Sequence, residues 1–329
     1  MKNLRAALKP DGLRPDWTSI SFLAFTTIGA VVSVIAYVTG HVQFSWPTYY
    51  MAHAIFILSG FAITAGYHRG FTHRSHRSHV LVRLYHLILG SAAFLGPVLS
   101  WTHKHRLHHA KTDQQADPNN AKVGFWWAHF ISILYTADAY EDFSRAHDLK
   151  RDPLVVWQQR FYVPISAVVA VAIPCYIGSL WGDALGALMM AFFIRVFVEH
   201  QMVFCVNSVA HKFGSAKWSS AISARDNWLL SWVATAGLVA SLVLMLAGHF
   251  TLGLNCLLVF LEIVTLGEIL GHGWHHHFEK DYRNGPNWWD LDPTRWLIRA
   301  LASVGLVSNL HRTPVEQVNR AKLAALTKT

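Results

Sequence analysis

What most restricts this chain is its recurring apolar runs. Residues 20–38, 49–65, 162–180, 184–206, 228–247 and 252–267 each carry no more than two charges, and a helix of about 20 apolar residues is what crosses a bilayer. Over the 329 residues, 53% are hydrophobic and 14% charged, against roughly 25% charged in soluble domains. The chain must therefore fold with lipid as its solvent. Runs of this length predict helices, so the expected fold is an all-α integral membrane bundle.

Charge placement orders the runs. The first 17 residues are polar and include Lys2, Arg5, Lys9 and Arg14; no apolar core with a small-residue cleavage site follows, so a removable signal peptide is not expected. This N-terminus and the basic segment after residue 65 bracket the first two runs, which places both flanks in the cytoplasm and the link through His41 and Pro47 outside. Arg83, His86 and Pro97 interrupt a further apolar stretch, 81–99. If it crossed, the histidines near 70 and near 105 would lie on opposite faces, so it is expected to lie on or dip into the membrane. Lys212, Lys217 and Arg225 mark a return to the cytoplasm after 184–206, and residues 228–267 read as a hairpin that leaves and returns. The expectation is four core transmembrane helices plus this hairpin. Polar segments 101–160 and 272 onward form a cytoplasmic helical cap, with Trp288, Trp289 and Trp296 at the interface. Residues 1–329 read as a single membrane domain.

The net charge of +9 fits these topology signals and anionic headgroups; with no basic tail or binding motif, nucleic acid is not an expected partner. Cys175, Cys205 and Cys256 are isolated in apolar runs and read as packing residues.

Histidine is the anomaly: 21 are present, and they cluster. The clusters are His68-Arg-Gly-Phe-Thr-His73, His105-Arg-Leu-His108-His109 and His272-Gly-Trp-His275-His276. Positions i, i+3 and i+4 share a helix face, so each HxxHH can aim three imidazoles at one volume. A spacing of five would splay on an uninterrupted helix; His68 is expected to end a helix, with His73 just beyond it through Gly70. Eight imidazoles exceed what one ion takes and suit two. Imidazole serves iron, zinc, copper and nickel alike, so spacing does not name the metal.

These phrases resemble the membrane fatty acid desaturases, the stearoyl-CoA desaturase group in particular. The likeness rests on Gly66-Tyr-His-Arg and Thr-His-Arg-Ser, His105-Arg-Leu-His-His with Thr112-Asp113 and Asp117-Pro118 behind, and Gly124-Phe-Trp-Trp-Ala-His129. It continues in Asn207-Ser-Val-Ala-His211, Asp281-Tyr-Arg-Asn-Gly285 and Asp292-Pro-Thr-Arg-Trp296, and covers about residues 20–312. The resemblance implies that His68, His73, His105, His108, His109, His211, His272, His275 and His276 ligate two non-heme iron ions, with Asn207 approaching through water. It also implies that Val203 and Phe204, and His200 beside them, border an acyl tunnel. Two departures stand out. About thirty additional residues, the hairpin, precede the third cluster. That cluster also follows Gly-Glu-Ile-Leu-Gly, longer than the family's Gly-Glu spacing; this makes His272 its least anchored ligand and His277 an alternative.

The implied activity is oxygen-dependent insertion of a cis double bond, at delta-9, into a fatty acyl-CoA or acyl-lipid. A histidine-box hydroxylase acting on a lipid or alkane is the near alternative; a metal transporter, with ligands at mid-membrane depth, is the distant one. No ferredoxin cysteines, heme segment or dinucleotide glycine motif is visible in the sequence. Electrons are therefore expected from a separate ferredoxin or cytochrome b-type protein with its reductase.

Overall fold

The computed structural model describes residues 9–265 and 267–326. Lys2 and Arg5 of the basic N-terminus lie outside the described residues, as does residue 266 near the end of the expected hairpin. Among the described residues, five helices are long and apolar enough to cross a bilayer: α1 (Trp17–Val38), α2 (within Trp46–Thr72), α5 (within Pro153–Ser179), α6 (within Ala184–Lys212) and α7 (Trp228–Leu246). Between them lie α3 (Val80–Ser91) and α4 (Val98–Lys111). After them come α8 (Phe250–Thr265), the short α9 (His272–His277) and α10 (Pro293–Ser303).

Local chemistry starts these helices. Asp16 caps α1 by accepting from the Ser19 amide, Ser45 caps α2 ahead of Pro47, and Asp152 caps α5 ahead of Pro153. Asp183 caps the helix at Ala184 and also accepts from the Ser45 amide at 2.9 Å and the Thr48 hydroxyl at 2.6 Å. The links before α2 and before α6 therefore meet at one end of the bundle.

The helix in the stretch 81–99 is too short to cross. α3 has 12 residues, about 18 Å at 1.5 Å per residue, short of a hydrocarbon core of about 30 Å. It packs on α2 and α5, and the chain turns back through Phe94 and Gly96, both at positive φ. Gln158 of α5 fixes the junction: its side chain donates to Tyr67 Oη and Ser91 Oγ and accepts from the Val98 amide at 3.0 Å, all buried.

The hairpin of α7 and α8 turns at Gly248 (φ 86°), and its two ends lie together, since the Asn227 amide donates to Leu270 O at 3.0 Å. α8 rests on α2, where His53 Nδ1 and Glu262 Oε1 sit 2.5 Å apart. Inside α6, Arg195 Nη1 meets Glu199 Oε2 at 2.5 Å; both are buried, as i, i+4 partners in an apolar span should be.

Candidate metal centre

The five-residue spacing of the first cluster is carried by a π-helix. Residues Ala62–Thr72 at the end of α2 take that form, and the His73 amide donates to His68 O, five residues back, at 3.1 Å. On an α-helix five residues turn about 140° past a full turn. On a π-helix of roughly 4.4 residues per turn the offset falls to about 50°, so both imidazoles face one way. This corrects the expectation that the helix ends at His68. Gly70 is not a turn residue either: a Cβ there would lie 3.1 Å from Ala65 O, inside the widened helix.

Nine histidines converge in two groups. His68, His73, His105, His109 and His275 form one; His108, His211, His272 and His276 form the other, and the ligand atoms of each lie within 4.8 Å of one another. Neither HxxHH serves a single volume, contrary to the simplest reading of the spacing. On α4, His105 and His109 turn to the first group and His108 to the second. On α9, His272 and His276 turn to the second group and His275 to the first. The i, i+4 pairs share a direction and the i+3 residue diverges from it, so two short helices split six ligands three and three. His109 and His276, one from each group, stack at 4.2 Å and 9° along the seam. His277 is exposed and joins neither group.

The nitrogen spacing fits ions. Nε2 of His275 lies 2.8 Å from that of His68 and 3.0 Å from that of His109, which is 3.1 Å from that of His105. In the second group, His272 Nε2 is 2.9 Å from His211 Nε2 and 3.1 Å from His276 Nε2. Ligand atoms at right angles around an ion, with metal–nitrogen bonds of about 2.1 Å, lie about 3.0 Å apart. His73 Nε2 is buried without a hydrogen-bond partner among the described residues. Burial, then neighbouring imidazoles, lowers the pKa of His73, His105, His272, His275 and His276 well below the usual histidine value. These rings are neutral, with lone pairs free for a cation.

Carboxylates orient the rings from behind, an arrangement that fixes tautomer and raises ligand basicity. His108 Nδ1 donates to Asp117 Oδ1 at 2.7 Å. Burial alone would lower the His108 pKa, but Asp117 raises it above the usual value. Glu268 Oε1 lies 3.3 Å from His68 Nδ1, and Glu279 Oε2 lies 3.4 Å from His109 Nδ1 and 3.9 Å from His73 Nδ1. His211 Nδ1 and Ser223 Oγ are 2.8 Å apart, and Ser223 donates through both its amide and hydroxyl to Asp113 at 2.5 Å. Arg69, between the ligands of the first cluster, clamps the assembly: its guanidinium donates to Glu268, Asp292 and the Tyr282 carbonyl. In the sequence, Asp113, Asp117 and Asp292 stand out only within the family phrases, and Glu268, Glu279 and Ser223 carry no signal of a role. The one available signal was that buried imidazole ligands need acceptors for their second nitrogens.

A cavity of about 400 Å³ meets this centre. His68, His105, His272, Asn207 and Glu268 line one part of it; Phe22, Leu23, Phe94, Val203 and Phe204 line an apolar part, with His200 among them. His200 Nε2 is held 2.8 Å from Ala93 O. His129 bonds Ser208 and Gln201, and His103 bonds Ala139 O, so both serve packing.

No family model matches the chain. It is 31% identical over 92% of its length to the probable acyl-CoA desaturase of Schizosaccharomyces pombe, covering 57% of that protein. It is 33% identical over 81% of its length to acyl-CoA desaturase 1 of Saccharomyces cerevisiae, covering 46% of it. The chain thus spans about half the length of these two relatives. It is also 28% identical, over 90% of its length, to the sn-1 stearoyl-lipid 9-desaturase of Anabaena variabilis, covering 93% of that protein.

Proposed function

We propose that the chain is a membrane fatty acid desaturase, like the relatives it resembles, and that it introduces a cis double bond at the delta-9 position of a saturated acyl chain, using dioxygen at two histidine-bound iron ions. The acyl chain reaches the enzyme as a CoA thioester or a lipid ester, and the metal centre faces the cytoplasm. One observation carries this reading: a single cavity joins an apolar wall to both histidine groups. An acyl chain is apolar along its length and needs that wall; the reacting carbons need the imidazole end.

The donor set suits iron better than zinc. Zinc in all-protein sites is almost always four-coordinate, whereas the first group offers five imidazoles. When bound, iron supplies the oxidising power against unactivated methylenes that no side chain has. The protein's residues do the rest. His68, His73, His105, His109 and His275 hold one ion; His108, His211, His272 and His276 hold the other, with Asn207 placed to hold a water. Val203, Phe204, Phe22 and Phe94 fix the chain so that one methylene pair meets the centre, because adjacent methylenes are chemically alike and only position distinguishes them. The apolar wall also keeps water from the reacting carbons.

Expression in a host lacking delta-9 activity, followed by fatty acid methyl ester analysis with dimethyl disulfide derivatisation, tests this. A new cis-monoene with its bond at carbon 9, lost in His108→Ala, is the expected result. Hydroxylated acyl chains in its place would move the chain to the hydroxylases. No product with reductase and donor supplied would overturn the reading.

A further inference from the structure

A second cavity, of about 280 Å³, lies against the π-helix, with Gly66 and Gly70 in its wall. The geometry points to this cavity as a binding site for the phosphoglycerol headgroup of an anionic membrane lipid. The same π-helix carries His68, which lines the cavity at the metal centre instead. Because Gly66 and Gly70 have no side chains, two other imidazoles reach the helix backbone. A Cβ on Gly66 would collide with the His86 ring, and one on Gly70 would lie 3.4 Å from His76 Nε2. Neither ring belongs to a metal group.

Both rings line the cavity with unmet polar atoms. His86 and His76 are 2% and 5% exposed, yet His86 Nδ1, His86 Nε2 and His76 Nε2 have no hydrogen-bond partner among the described residues. The Ser75 hydroxyl gives its one proton to Arg69 O at 2.9 Å, so in the 3.1 Å contact with His76 Nδ1 the ring is the donor. His76 Nε2 is then a lone pair, and it accepts. Neutral His86 adds one N–H and one further lone pair. Buried groups of this kind are normally satisfied, so the occupant must both donate and accept. Its charge is set by the arginines. Arg77 is exposed and forms no ion pair among the described residues; Arg83 also lines the cavity and meets Asp152. No acidic residue lines the cavity, so a metal cation is disfavoured despite the imidazoles. A bare anion would leave the lone pairs unmet. An anion that carries hydroxyls answers the arginines through its phosphate and the rings through its O–H groups, and basic pockets beside membrane helices hold such headgroups. Val80 and Leu81, three and four residues beyond Arg77, are exposed and apolar. They give acyl chains a surface outside the cavity, which favours a lipid over a soluble phosphate ester.

The test titrates the full chain in detergent with three probes and reads binding by native mass spectrometry. Phosphatidylglycerol should bind at least tenfold more tightly than phosphatidylethanol, which has the same phosphodiester charge but no headgroup hydroxyls. Arg77→Gln and His86→Leu should each weaken phosphatidylglycerol at least tenfold; Arg77 is exposed, so its variant probes the site without touching the core. Arg299→Gln, an exposed cation on α10, should change binding less than twofold. Binding indifferent to Arg77 and His86 would overturn the site. Equal affinity for the two lipids would overturn recognition through the hydroxyls. Soluble glycerol 1-phosphate that displaces phosphatidylglycerol at equal concentration would overturn the lipid in favour of a soluble ester. None of these measurements needs iron or product, so their failure is separate from failure of the desaturase reading.

Discussion

Asp117 shows how much a metal centre of neutral ligands depends on residues that touch no metal. Its carboxylate holds His108 in the tautomer that turns Nε2 to the second group, and loss of such a partner costs about 10- to 100-fold in metal affinity. Asp117→Asn should therefore release iron at 10- to 100-fold lower chelator concentration than the wild type, with unchanged helix content by circular dichroism; equal retention would show that the contact is incidental. Arg69 makes the opposite point. It ties the first cluster to Glu268 and Asp292 through forked contacts that a lysine cannot reproduce. Arg69→Lys should lower stability by about 3 kcal/mol, the order expected when a buried ionic network loses its geometry, read as a drop in the thermal midpoint. Eight of the nine histidines are legible from spacing because metal ligands must be of few residue types and must cluster; His211 stands alone in the sequence and is legible only through the family resemblance. Their sorting into two groups was not, since it depends on whether i+3 or i+4 faces a given ion.

Two elements depart from what their sequences suggest, for different reasons. Residues 62–65 end the apolar run of α2 and the more polar 66–72 follow, yet the whole stretch widens into one π-helix. The stretch packs on α3 and α4, and the hydroxyl of Thr72 donates to Tyr67 O, five residues back, at 2.8 Å. Such widening is frequent at functional sites, and sequence periodicity alone does not reveal it. The hairpin, by contrast, was legible in outline from its two apolar runs. Its attachment was not, because His53 and Glu262 are 209 positions apart. That pair should behave as a coupled unit in an apolar setting. His53→Leu alone leaves Glu262 unpaired and should lower the thermal midpoint more than the double variant His53→Leu/Glu262→Leu does; additive losses would show that the contact carries no coupling.

At the scale of the whole molecule, the bundle buries titratable rings beyond the metal ligands. His76 and His86 stand outside both metal groups, and burial lowers their pKa values to about 4 and about 3. The unfolded chain takes up these protons near pH 6.5, while the folded chain resists. Their contribution is thus intact above pH 6.5 and is lost as the pH falls towards 4, by about 2 kcal/mol each at pH 5. The metal-free protein should melt at a clearly lower temperature at pH 5 than at pH 7.5, and His86→Leu should narrow the gap. The most direct measurement of the whole account is the iron bound per chain in protein purified from detergent, by elemental mass spectrometry. Two irons in the wild type are predicted, with His73→Ala and His211→Ala each losing at least one. A folded wild-type chain holding zinc, or holding a single ion untouched by one of these substitutions, would contradict it.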